Sequence, residues 1–214
     1  MKRGIIGSAM TNHKKPRKQE IDQWTLQLET LLLHIAETAQ KHNKQYYFGG
    51  GFAIDLTFGG LSRSHGDIDF YPREEDTQWW KDWFRSQGYI ISKDTDMENL
   101  PHAFSLINEN SDYFADVYPI AVGRNGEISM LTKEGTDAVW DGMLTIKGTR
   151  GVWQGKSWNE VRKVNYKGQT IAVENYKTVL MQKEEYIKLH PGETLSEKHL
   201  HDFARVSRYK KGWL

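Results

Sequence analysis

Apolar positions along the chain keep two spacings, and the switches between them outline the elements. Ile21, Trp24, Leu28, Leu31, Leu32, Ile35 and Ala39 recur every three or four residues, which predicts a helix over about residues 19–42 with one core-facing stripe. A polar KHNKQ follows, then the short β-prone run Tyr46-Tyr47-Phe48 and the triplet Gly49-Gly50-Gly51, which parse as strand, glycine turn and helix. FAIDLTFGG supplies one or two helical turns and stops on Gly59-Gly60. After the loop 61–66, Asp67-Ile68-Asp69-Phe70-Tyr71 alternates polar and apolar as a half-exposed strand does, so Asp67 and Asp69 share a face. Pro72 ends that strand. The amphipathic segment 73–89 then turns Trp79, Trp80, Trp83 and Phe84 inward and stops at Gly88.

Further strands are predicted at Ile90-Ile91, at 103–107 and at 112–118, the last closed by Pro119. Residues 120–172 are rich in glycine and β-branched residues, with turns expected at Arg124-Asn125-Gly126 and Lys167-Gly168. They read as hairpins rather than as a second hydrophobic core. Helices follow over 173–189, with Tyr176, Val179, Leu180 and Tyr186 as apolar contacts, and over 195–210. No internal repeat or long linker intervenes. The expected organisation is a basic leader (1–18), a core (19–120) and a hairpin and helical portion (121–214) of one α/β, more strictly α+β, unit.

Composition narrows the functional classes. A chain of 214 residues with 38% hydrophobic and 12% aromatic residues has material for a core, which excludes overall disorder. The absence of cysteine excludes disulfides, thiolate metal sites and cysteine nucleophiles, so any metal must be held by oxygen or imidazole. Net charge is +1, but six Lys and Arg and no acid fall in residues 1–18, which leaves the rest mildly acidic and makes nucleic acid an unfavoured partner. The opening apolar run is too short for a secretory signal and no window is long enough to span a membrane; a cytoplasmic protein is expected.

Candidate chemistry centres on Asp67, Asp69 and Asp116. Two lie on one strand face and the third on another predicted strand, so pairing of the two strands brings all three within reach of a common cation. Their mutual repulsion is relieved by Mg²⁺, which favours a few carboxylates plus water and phosphate oxygens, and two such ions serve phosphoryl or nucleotidyl transfer. The glycine triplet before a helix adds a seat for an anion, since bare backbone N–H groups point from it.

Taken whole, GGGFAIDLTFGGLSRSHGDIDF resembles the signature of polymerase-β-type nucleotidyltransferases, in particular the aminoglycoside and lincosamide nucleotidyltransferase branch. Gly50-Gly51-Phe52-Ala53-Ile54-Asp55 and Ser62-Arg63-Ser64-His65-Gly66-Asp67-Ile68-Asp69 carry the likeness; Phe52 stands where the branch usually has Trp. The close match covers roughly residues 46–70, with looser agreement through Asp116 and at Ser196-Glu197-Lys198-His199. The resemblance implies a mixed sheet flanked by helices with a helical C-terminal portion, residues 121–214 completing the acceptor side of a nucleotidyltransferase core over 19–120. It implies two Mg²⁺ ions on Asp67, Asp69 and Asp116, a triphosphate held by Gly50 and Gly51, Arg63 on phosphate or orienting the carboxylates, and Lys198 near the departing phosphates. Asp116 is then also the candidate general base. The reaction implied is attack of a small molecule's hydroxyl on the α-phosphorus of an NTP, ATP being expected, with an antibiotic as one candidate acceptor. A member acting on tRNA or protein, and a nucleotide binder without catalysis, remain as alternatives.

Several neighbours read more plainly. His65 is expected to fix its loop, Asp55 to pin the Arg63 loop, and the tryptophan row to be core. Asp112 competes with Asp116 for the third carboxylate position, and the apolar setting of Asp116 decides for it. The acids Asp94, Asp96, Glu98, Glu134, Asp137 and Asp141 are solvated loop by default, with attraction of a cationic acceptor as the functional reading.

Overall fold

A computed structural model describes residues 21–92, 97–136, 144–189, 192 and 194–210. The basic leader and Asp94, Asp96, Asp137 and Asp141 lie outside the described residues. Helix α1 (Gln23–Lys41) starts on Asp22, whose side chain accepts from Thr25 N, and buries Leu28, Leu31, Leu32, Ile35 and Ala39, the predicted stripe. Strand β1 (Tyr46–Phe48) runs through Gly49 into helix α2 (Gly50–Thr57), and β2 (Ile68–Pro72) follows the loop. A 3₁₀ turn (Glu74–Asp76) leads into α3 (Thr77–Ser86), which buries Trp80 and Phe84 fully and packs Trp79 and Trp83 at the core margin.

Strands β3 (Ile90–Ser92), β4 (Phe104–Ile107) and β5 (Tyr113–Val117) complete one side of the first sheet. Strands β6 (Ala121–Val122), β7 (Glu127–Leu131), β8 (Leu144–Lys147) and β9 (Arg150–Ser157) form a second, antiparallel sheet in the order β6-β7-β9-β8. The chain then returns. Strands β10 (Arg162–Tyr166) and β11 (Gln169–Val173) form a hairpin whose turn has positive φ at Lys167 (47°) and Gly168 (81°), as expected of a two-residue turn that matches strand twist. That hairpin docks on β1, in parallel through Phe48 and Val173, so the first sheet reads β10-β11-β1-β2-β5-β4-β3. Helices α4 (Tyr176–Leu189) and α5 (Glu197–Lys210) end the described chain.

The two faces of the first sheet have different covers. Ile68, Phe70, Ala115 and Val117 pack with residues of α1, α2 and α3 in the larger core. Tyr47, Tyr71 and Tyr118 point the other way and join Ile120, Ile128, Met130 and Trp153 in a second buried cluster. The expectation of hairpins without a second core is therefore corrected: Tyr47 and Tyr71 of that core come from strands far earlier in the chain, which no local pattern within 120–172 displays. No helix among the described residues is long and apolar enough to cross a membrane.

Candidate functional site

The aspartates meet through strand register. β2 and β5 pair in parallel with Asp69 opposite Asp116, and Asp67, just before β2, lies on the same face. Asp116 in turn faces Ser105 of β4, whose hydroxyl donates to its Oδ1 at 3.1 Å. The Tyr113 hydroxyl donates to the same oxygen. It reaches there because the β4–β5 ladder slips between Leu106 and Ile107, so that Phe114 is bulged into the larger core and Tyr113 is re-aimed toward Asp116. Asp112 lies before β5, exposed, and accepts from Asn108 Nδ2 at 2.8 Å, so it stands apart from the site.

Electrostatics mark Asp69 and Asp116. Burial, then Asp67 and Asp116, push the Asp69 carboxyl up to about 7. Burial also raises Asp116, against the lowering hydrogen bonds from Tyr113 and Ser105. As they stand, no three acidic or imidazole side chains among the described residues enclose a common point where one cation would sit. The set is an open row of mutually repelling oxygens. That fits Mg²⁺, which takes one or two carboxylates and completes its shell with water and substrate phosphate, better than a metal needing a closed cage.

The glycine turn abuts this row. Gly50 has φ +56°, and a Cβ there would fall 1.8 Å from Asp69 Oδ2. Gly49 N donates to Asp69 O at 2.9 Å, tying the turn to β2. Behind the turn, a Cβ on Gly51 would lie 2.1 Å from Arg63 Nη2 and 2.9 Å from the His65 ring. The buried Arg63 gives Nε and Nη2 to both oxygens of Asp202 on α5, at 2.9 and 3.1 Å, and Nη1 to Ser64 O. Its guanidinium is thus committed to protein partners behind the turn rather than aimed at the carboxylates. Asp55 accepts from the Ser62 hydroxyl and amide, meets His65 Nε2 at 2.9 Å, and pairs with Arg205 Nη1 at 3.2 Å, so it pins the loop as expected. These hydrogen bonds hold the Asp55 carboxyl below its ordinary value although burial opposes them.

An open cleft of about 550 Å³ lies between the turn and the last helices, bounded by Gly50, Asp69, Gln182, Lys183, Tyr186 and His199. Lys198 is exposed and borders a different hollow with Arg63, Glu197 and His201. The lysine on the cleft is Lys183 of α4, 3.4 Å from Asp202 Oδ2 and drawn down by burial. His199 is lowered to about 4, by burial first and then by Lys183 and Lys198, and is a neutral imidazole at neutral pH. Val179, Gln182, Lys183 and Tyr186 follow helical spacing, so a polar seam on the apolar-looking face of α4 is the signal that marks Lys183.

Over 112 residues the chain is 27% identical to a lincosamide resistance protein of Staphylococcus haemolyticus, taking in 52% of this chain and 66%, just under two thirds, of that relative. The fold is shared with the lincosamide antibiotic adenylyltransferase LnuA in its lincomycin-bound crystal structure (TM-score 0.57, 22% identity, 84% of this chain and 96% of that one). It is also shared with ANT(2'')-Ia, both in solution (TM-score 0.59, 17% identity, 87% and 85% covered) and in complex with adenylyl-2''-tobramycin (TM-score 0.58, 15% identity, 87% and 90% covered). These likenesses show the nucleotidyltransferase fold. The aminoglycoside-2''-adenylyltransferase family model matches residues 31–206, a span that takes in the glycine turn, both aspartate strands and the cleft helices. The chain therefore belongs to the aminoglycoside-2''-adenylyltransferase family, a family of nucleotidyltransferase enzymes.

Proposed function

We propose that this chain moves AMP from ATP onto a hydroxyl of a small antibiotic of the aminoglycoside or lincosamide kind, in a Mg²⁺-dependent reaction. The observation that carries the reading is the register of Asp69 opposite Asp116 beside a glycine whose Cβ would strike Asp69. Asp67 and Asp69 would hold two Mg²⁺ ions and Asp116 would complete the site of one of them. When bound, Mg²⁺ lowers the pKa of the attacking hydroxyl and neutralises charge building on phosphorus. Gly50 and Gly51, at the start of α2, turn backbone N–H groups toward the triphosphate. Asp116 takes the proton of the acceptor hydroxyl as its oxygen bonds to the α-phosphorus, and Tyr113 and Ser105 fix its orientation. Pyrophosphate leaves past Lys183, which takes the role expected of Lys198 because it is the one on the cleft. The second sheet and α4 would serve as the acceptor side, and the cytoplasm, where ATP is at hand, would be the setting of the reaction.

The test is a mass-spectrometric screen for nucleotide adducts on a panel of aminoglycosides and lincosamides, with each NTP and Mg²⁺. Asp67→Asn and Asp69→Asn are each expected to lower transfer by about 10²-fold or more while the circular-dichroism spectrum stays unchanged. Retained turnover in either variant would remove the metal mechanism.

A further inference from the structure

One buried charge pair next to the site has no part in the proposed reaction. Lys156 of β9 places Nζ 3.1 Å from Glu174 Oε1, and both side chains are buried. The ammonium lies 3.3 Å from the Trp153 ring centre and 4.5 Å from that of Tyr71. Glu174 directly follows β11, and its amide donates to Phe48 O at 2.8 Å, which brings its carboxyl under the glycine turn. A Cβ on Gly49 would meet Tyr71 Cε2 at 2.6 Å and Glu174 Oε2 at 3.0 Å. Gln182, on the cleft, donates to Glu174 Oε1 at 3.4 Å. Tyr47 Oη, Glu174 Oε2 and Lys156 Nζ are buried with no hydrogen-bond partner among the described residues, so the Lys156–Glu174 contact is held as an ion pair.

Such a pair needs a reason. Removing two charges from water is costly, and a well-packed apolar pair usually holds two sheets together as well. Burial draws the Lys156 ammonium down, and Glu174 and Asp69 oppose that effect, so Lys156 feels both carboxylates. Glu174 without Lys156 would be a fourth anion beside the row of Asp67, Asp69 and Asp116, and would be free to withdraw from Gly49.

We propose that Lys156 and Glu174 are a positioning pair for the nucleotide: Lys156 clamps the Glu174 carboxylate and the Tyr71 ring against the Gly49 backbone, fixing the turn that seats the triphosphate. Its charge also balances Glu174 beside Asp69. The inference rests on the NTP reading of the cleft and is independent of which acceptor is used. A clamp on the turn acts on nucleotide binding and leaves the acceptor hydroxyl and its base alone.

The experiment compares Lys156→Met, Lys156→Arg and the double variant Lys156→Met/Glu174→Gln with wild type. Readouts are calorimetric binding of a nonhydrolysable ATP analogue with Mg²⁺, KM and kcat for transfer, and the melting temperature. Lys156→Met is expected to raise the analogue's Kd and the KM for ATP about tenfold with kcat little changed, and Lys156→Arg to recover most of the affinity. The double variant carries no lone buried charge, so it keeps the fold measurable should Lys156→Met melt, and its analogue affinity is expected to stay weak. A double variant with wild-type Kd, or a folded Lys156→Met with changed kcat and unchanged KM, overturns the proposal. Failure of wild type itself to bind the analogue overturns the nucleotidyltransferase reading instead.

Discussion

Asp69 is held where its charge is unwelcome. Its carboxyl sits against Gly50 and feels Asp67 and Asp116, and burial is the largest cause of its rise from 3.8 to about 7. The folded chain therefore binds more protons than the unfolded chain between those values. Stability contributed by this group is fully present below 3.8 and is lost as pH rises through about 7. An asparagine suffers no such loss. In metal-free buffer, Asp69→Asn is expected to be more stable than wild type near pH 8, by on the order of a few kcal/mol at most, and equal to it near pH 4. Urea unfolding at the two pH values measures the difference; an advantage that does not grow with pH would contradict the argument. Added Mg²⁺ binds the native wild type and should shrink the gap. The residue best placed for the proposed chemistry is thus one that weakens the fold around it.

The strand, turn and helix from Tyr46 to Thr57 could be read from local sequence because each part follows a short-range rule: β-prone aromatics, a glycine triplet, a helix stop. The shared face of Asp67 and Asp69 follows likewise from the alternation of strands. Gly50→Ala tests the turn. Its Cβ would require a left-handed backbone at φ +56° and a contact of 1.8 Å with Asp69 Oδ2, so the turn or the carboxyl must move. Transfer is expected to fall about 10²-fold, as misplacements of about 1 Å do. Gly59→Ala is the control: its φ is +92° but a Cβ there meets open space, so strain without a clash should leave transfer near wild type. Equal losses in both variants would show that strain, not the Asp69 contact, matters. Other parts were hidden. The aim of Tyr113 depends on a bulge set by the partner strand β4, and Lys156 reaches the site because the β7–β9 register shifts, so alternation along β9 does not forecast its burial beside Trp153. That Lys183 rather than Lys198 lines the cleft depends on which side of α4 meets it, a matter of packing between helices.

Long-range closure sets the rest of the molecule. Asp202 near the end of the chain is fully buried and joins Arg63 in the loop before β2 to Lys183 on the cleft, while Arg205 donates to Phe58 O and Gly60 O at 2.8 Å, finishing α2. Asp202→Ala leaves the buried Arg63 and the partly buried Lys183 without their carboxylate and is expected to cost about 3–5 kcal/mol in urea unfolding. A loss near that of a surface substitution would mean α5 is not a structural clasp. The helices themselves were foreseen from spacing. Their partners were not, since charged contacts spanning 139 positions leave no periodic trace. The docking of β11 beside β1 was equally invisible, and it bears on synthesis. While a ribosome is still making residues before 169, Tyr46–Phe48 has β2 on one flank and nothing on the other. The emerging polypeptide carries a bare aromatic edge for most of its translation, an invitation to pair with a neighbouring nascent chain, and slow elongation through that stretch should raise the aggregated fraction.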